Sequence, residues 1–227
     1  MSLLLALRAE LRRVADPKKA AGMQAYMKSA MPYHGVPAPL LRQACRRVFA
    51  EVTFGTAAPW RRAVLGLWRG ARWREERYGA IELAGAKRFA EFQDMDSLPI
   101  YEEMLVSGAW WDYVDNIATR RLGALLRRHP REMRRTMLAW SRDANLWKRR
   151  SAILCQIGFK AGTDLELLYA SIEPSLGSKE FFLRKAIGWA LRQYAWTDPG
   201  EVRRYVRKRG GELSGLSRRE ALKNVGA

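Results

Sequence analysis

Apolar residues return every three or four positions along nearly the whole chain, the spacing that places them on one face of an α-helix. Trp111, Val114, Ala118, Leu122 and Leu125 form one such stripe; Leu146, Ile153, Leu154 and Ile157 form another. No segment alternates apolar and polar residues in the manner of a strand. The pattern breaks at Asp16-Pro17, 32–39, 55–59, Gly70, Leu98-Pro99, Gly108, His129-Pro130, Asp143, Gly162-Thr163, 174–178, Asp198-Pro199 and Gly210-Gly211. These breaks predict about a dozen helices of roughly 10–18 residues joined by short loops. Asp16 and Asp198 each precede a proline, the order expected of an N-cap acid followed by a first-turn proline. Ser178 is placed to cap a helix beginning at Lys179, with Glu180 near its positive end. The proline-rich stretch from Met31 to Leu40 predicts the longest irregular segment.

Taken in pairs, the helices repeat at roughly 35–40 residues, the period of helical hairpin units of the HEAT or armadillo kind. No exact motif repeats, so a compact helical bundle is the alternative. Short connections favour the stack, in which each hairpin touches only its neighbours and the array offers a concave face. The expectation is an all-α, right-handed solenoid of tandem HEAT-like hairpins, forming a single domain over residues 1–227.

Charge narrows the partner. Lys and Arg number 41 against 23 Asp and Glu, a formal net charge of +18. Such an excess points to a polyanion, most often nucleic acid. Most of the bases are Arg, which grips phosphate through two donors at once. Arg-Arg doublets recur at 12–13, 46–47, 134–135, 149–150 and 203–204, among others. Adjacent helical residues diverge by about 100°, so one member of a doublet can face a partner while the other faces solvent. Cys45 and Cys155 sit in apolar helical runs and read as buried free thiols. With only His34 and His129 besides, no zinc spacing exists, and no metal is expected. No apolar run reaches the roughly 18 residues of a membrane span, and the apolar start, Leu3 to Leu7, passes at once into Arg8 and Glu10. A cytoplasmic, nucleoid-associated protein is the expectation.

Four positions carry candidate chemistry. Trp111 and Asp115 are four apart, so they share a helix face that is otherwise apolar. A carboxylate there is costly unless compensated, and beside an indole it suits a cation. Arg150 interrupts the stripe that Leu146 and Leu154 define, so it should meet an anion: an internal carboxylate or a phosphate lining a groove. Lys185, Trp189 and Arg192 are spaced i, i+4, i+7. That strip reads either as stacking flanked by phosphate contacts or as a core Trp whose neighbouring cations reach solvent. Together, two indoles and one acid suit departure of a base from deoxyribose, which leaves an electron-poor sugar that a carboxylate stabilises. The carboxylate could also orient or deprotonate water. No lysine is evidently placed as a Schiff-base nucleophile, and a nuclease would require more clustered acids for Mg²⁺. Asp112 is read as an N-terminal helix charge. A carboxyl locked in an internal ion pair, or two indoles facing away from the basic channel, would overturn this reading.

These segments resemble the AlkD-like family of bacterial DNA alkylation repair glycosylases. The motifs are Trp-Trp-Asp-Tyr-Val-Asp at 110–115, Leu-Trp-Lys-Arg-Arg-Ser-Ala-Ile-Leu at 146–154, and the stretch 178–195 that contains Trp189. Supporting matches are Tyr26-Met27-Lys28 and Leu216-Ser217-Arg218-Arg219-Glu220-Ala221. The resemblance implies HEAT-like repeats whose concave, basic face cradles duplex DNA. It implies excision of cationic N3- and N7-alkylated purines, in the manner of a 3-methyladenine/7-methylguanine glycosylase, without extruding the base. It implies no metal or cofactor, and a monomer. Asp115 would be the catalytic carboxylate, with Trp111 and Trp189 flanking the deoxyribose. Arg150 would hold the phosphate near the lesion, and Tyr26, Arg42 and Arg192 would contact DNA. Pro37 stands where relatives carry a polar residue directed at the opposite strand, so contacts to the undamaged strand depart from the family pattern. The alternative reading is a basic helical scaffold that binds nucleic acid without catalysis; a protein–protein scaffold is a third.

Overall fold

The computed structural model describes residues 2–225, and among these every regular element is a helix. The chain divides into two compact units that meet in sequence between Ile100 and Tyr101. The first unit contains α1 (Leu3–Arg13), α2 (Pro17–Met27), α3 (Ala38–Ala50), α4 (Ala57–Gly70) and α5 (Arg74–Ala84), followed by short 3₁₀ turns; α6 (Leu98–Gly108) crosses the boundary. The second contains α7 (Trp111–Asn116), α8 (Gly123–Arg128), α9 (Pro130–Trp140), α10 (Leu146–Leu154), α11 (Leu165–Ile172), α12 (Phe181–Ala195), α13 (Pro199–Lys208) and α14 (Gly215–Ala221). Among the described residues, none of these helices is long and apolar enough to cross a membrane.

Many boundaries fall where the sequence placed them. Asp16 accepts hydrogen bonds from the N–H groups of Lys18 and Lys19, with Pro17 in the first turn. Asp198 accepts from Glu201 N–H, with Pro199 beginning α13. Two expectations need correction. The helix after Ser178 starts at Phe181, not Lys179, because residues 178–180 remain extended and the Ser178 hydroxyl instead accepts from the N–H of Glu180 at 3.2 Å. The irregular segment ends at Pro37 rather than Leu40, since Ala38 and Pro39 already form the first turn of α3.

That segment is buried, not draped on the surface: Tyr33, His34 and Val36 belong to the interior. A buried strandless backbone must find partners for its N–H groups. Glu75, itself fully buried, supplies them, accepting from His34, Gly35 and Val36 at 3.0, 2.9 and 3.0 Å. The adjacent Glu76 closes on the other side, bound by the Arg8 guanidinium at 2.6 and 3.0 Å and by the N–H of Arg72 at 2.7 Å. Burial would raise its pKa, but His34, Arg8 and the backbone donors outweigh that and hold it at about 2. Around this polar anchor pack Leu7 and Leu11 of α1, Trp60 and Trp68 of α4, and Ile81 of α5.

In the second unit, α10 packs against α7, α9, α11 and α12, and α11 packs against α9. The helices thus alternate between two layers: α7, α10 and α12 in one, α9 and α11 in the other. The stripes read from sequence face the interior, with Val114, Ala118, Leu122, Ile153 and Leu154 all buried. Cys45 and Cys155 are free and buried, and burial raises both thiols, that of Cys155 to about 12.

Two outcomes follow. Glu75→Ala strands three buried donors and should cost at least about 3 kcal/mol in urea unfolding, at about 1–3 kcal/mol per stranded group; a loss under about 1 kcal/mol would contradict the anchor. Because Glu76 is depressed in the fold, its contribution is complete above the unfolded value of about 4.3 and is lost as pH falls through about 2. Stability measured across that window should drop less steeply in Glu76→Gln.

Candidate active site and basic interface

The helix carrying Trp111 and Asp115 begins after a left-handed turn at Ala109 (φ 44°). It continues without interruption through a π-helical turn, Ile117–Leu122, into α8. The Thr119 hydroxyl donates to the carbonyl of Asp115 at 2.7 Å, just where the helix loosens. Such π turns carry a local penalty and cluster at functional sites. Gly123, just past the turn, lets the rod close on the end of α10: a Cβ there would stand 2.8 Å from the carbonyl oxygen of Cys155.

On α10, capped by the Asn145 side chain, the three consecutive bases diverge. Lys148 bonds Glu102 and Asp143 at 2.5 and 3.1 Å. Arg149 donates to the Pro174 carbonyl at 3.0 Å. Arg150 turns inward and grips Asp115 edge-on, Nε to Oδ1 at 2.7 Å and Nη2 to Oδ2 at 2.8 Å. Its Nη1 donates to the Phe182 carbonyl, in the first turn of α12. The structure therefore places Arg150 as the partner of the carboxylate. Of the two anions the sequence left open, it is the internal one that Arg150 meets here.

The pair is buried unevenly, with 5% of the Arg150 side chain exposed against 15% of Asp115. Asp115 is thus the more exposed member of the pair. Burial pushes the Asp115 carboxyl above its usual range; Arg150 opposes that shift and Asp112 adds to it. Behind the pair lies an aromatic cluster that the sequence analysis did not single out. Trp110 and Trp147 flank Phe182 at 5.5 and 5.1 Å between centroids, and the Arg150 guanidinium lies 5.9 Å from the Phe182 ring. A weak signal was available: Trp110, Trp147 and Phe182 lie next to or within one turn of the residues already chosen.

Trp111 precedes Asp115 by one helical turn, and Trp189 lies two turns beyond Phe182 on the same face of α12. Both indoles are half-buried. Lys185 and Arg192, the expected phosphate contacts beside Trp189, keep 39% and 26% of their side chains exposed, and both bond Glu220 of α14. Tyr26 and Arg42 are exposed on α2 and α3 of the first unit. Both members are exposed in the doublets 12–13, 46–47 and 203–204. Among the described residues, Arg13, Arg47, Arg134 and Arg204 make ion pairs and Arg46, Arg135 and Arg203 make none. Among the described residues, no three His, Cys, Asp or Glu side chains group so as to hold a metal ion.

No curated protein matches the chain. A solved structure described as a predicted DNA alkylation repair enzyme from Enterococcus faecalis matches with a TM-score of 0.83 and 29% identity, covering 92% of this chain and 95% of that one. The family model for DNA alkylation repair enzymes matches residues 7–225, across both units. The chain belongs to the DNA alkylation repair enzyme family.

Proposed function

We propose that this protein is a monofunctional DNA glycosylase that hydrolyses the N-glycosidic bond of cationic N3- and N7-alkylated purines in duplex DNA. The observation that carries the proposal is the Asp115–Arg150 pair, whose carboxylate is its more exposed member and sits on the helix that also bears Trp111. Family membership supports a repair role, and a formal charge of +18 supports DNA as the partner. The C1′–N bond breaks with its electron pair passing to the base, which leaves neutral because it began as a cation. No general acid is required. The sugar becomes positive, and the carboxylate stabilises it, as do indole faces through their quadrupole. Water then attacks C1′ and Asp115 accepts its proton. The chemistry calls for no cofactor, and the site for no second subunit.

The carboxyl does sit in an internal ion pair, the arrangement that the sequence reading set against repair, so the proposal depends on what that pair leaves free. A carboxylate fully neutralised by arginine would offer little to a sugar cation. Here Arg150 takes one edge of the carboxylate, and each oxygen keeps a lone pair for the opposite side. The arginine fixes the carboxylate and opposes the upward shift that burial imposes on it. Bonded through all three nitrogens and 5% exposed, Arg150 is read here as a positioning residue. The same ion pair favours a second reading, a DNA-binding scaffold in which Asp115 is a structural counter-ion. Base release separates the two, since both predict affinity.

Incubated with an N7-methylguanine duplex in EDTA, the wild-type protein should release free base. Asp115→Asn should release it about a hundred- to a thousandfold more slowly, the usual cost of losing one preorganised electrostatic group. The same variant should bind undamaged duplex more tightly, an acid having left the groove. No release by the wild type, or equal release by the variant, leaves only the scaffold. Asp115 must be ionised to act and burial raises its pKa, so release should fall on the acid side at a pH above the ordinary aspartate range. Arg150→Gln removes the opposing effect and should move that limb further up; an unmoved limb would show that the pair does not govern the charge.

A further inference from the structure

The strip Lys185–Trp189–Arg192 is held from behind by a residue to which neither the sequence reading nor the proposed reaction gives a role. Glu220, on α14, directs one carboxylate oxygen at Lys185 Nζ and Lys223 Nζ, at 3.3 and 2.6 Å, and the other at Arg192 Nη1 at 2.7 Å. Only 9% of its side chain is exposed, so it lies beneath the two cations that flank Trp189 and not among them at the surface. Its placement is built into the packing. The residue before Trp189 is Gly188, and a Cβ there would stand 2.4 Å from the Glu220 Cβ and 3.0 Å from the Ser217 carbonyl oxygen. Only glycine lets α14 approach so closely. The Ser217 hydroxyl, one turn earlier on α14, donates to the carbonyl of Arg184 at 2.9 Å and pins the two helices in register. The cations around Glu220 hold its carboxyl below the usual range, Lys223 most strongly, so it is charged wherever the protein is folded near neutrality.

One carboxylate under three cations leaves the cluster net positive. Long flexible side chains lose rotamer freedom when they grip a phosphate, and cations already fixed lose less. A buried counter-charge also reduces their attraction for any passing phosphate. We infer that Glu220 is a positioning residue of the DNA-facing strip: it fixes Lys185 and Arg192 on either side of Trp189 and trims their grip on undamaged DNA. The inference rests on the reading of that strip as a DNA contact.

The test compares wild type, Glu220→Gln, Glu220→Asp and Trp189→Ala. Each is assayed for N7-methylguanine release at saturating enzyme and for binding to undamaged duplex between 50 and 200 mM salt, with Tm recorded. In Glu220→Gln, release should fall about fivefold or more. Binding to undamaged duplex should tighten and its log–log salt slope steepen by about 0.9 for each cation set free. Glu220→Asp keeps the charge but shortens the reach, so release should fall while the salt slope stays at the wild-type value. A merely structural role would lower Tm and weaken both measurements without steepening the slope, and that result overturns the inference. So does wild-type behaviour in Glu220→Gln. Absence of release by the wild type, or full release by Trp189→Ala, would sink the glycosylase reading itself and is recognisable as such because neither involves Glu220.

Discussion

Everything at the candidate site depends on a bidentate ion pair between Asp115 and Arg150 in a largely desolvated setting. Burying either charge alone would be prohibitive. Paired, they lock α7 to α10, and through the Phe182 carbonyl they lock α10 to the start of α12. The three helices form one layer of the second unit, and each carries one of the chemical positions. The pair is thus both a structural tie and a fixed negative charge on its more exposed member. A π turn directly after Asp115 and a glycine that admits the Cys155 carbonyl bring the partners within reach.

The basic character of the chain is less free than its composition suggests. Many of its 41 Lys and Arg residues are committed to internal work: Arg8 to Glu76, Lys148 to Glu102, Arg149 to the turn at Pro174. Exposed arginines in the doublets 46–47, 134–135 and 203–204 lie beside one that makes an ion pair. The same economy recurs at Glu220, where an acid placed beneath a cationic strip fixes geometry and tempers charge together. Acid and base are combined in the same way at Asp115, with the signs exchanged.

The helical fold was legible because its determinants are local. Proline, N-cap acid and apolar period act within a few residues, so α2 and α13 begin where Asp16-Pro17 and Asp198-Pro199 say they should. Ser178 failed as a cap because side-chain chemistry alone does not say which turn the backbone will enter. Spacing put Trp111 and Asp115 on one helix face, while that of Trp189 on α12 left a site and a core role equally open. Their surroundings could not be read from spacing. Arg150 meets a partner 35 residues away, Glu220 meets Arg192 across 28, and the Trp110, Trp147 and Phe182 rings converge from three elements. Sequence spacing says that Arg150 requires an anion; only packing says which. Glu75 is the sharpest case. It reads as an ordinary first-turn acid, yet it satisfies a buried segment some 40 residues earlier.

The central claim is that this carboxylate awaits a sugar that becomes positive. The most direct measurement is the ratio of affinities for two duplexes alike except at one nucleotide, a cationic pyrrolidine sugar mimic in one and a neutral tetrahydrofuran in the other. The account predicts that the wild-type protein prefers the cationic duplex by at least about tenfold, from a unit charge a few ångströms away under partial screening, and that Asp115→Asn loses the preference. Equal affinity of the wild type for both duplexes, or a preference that survives the substitution, would contradict it.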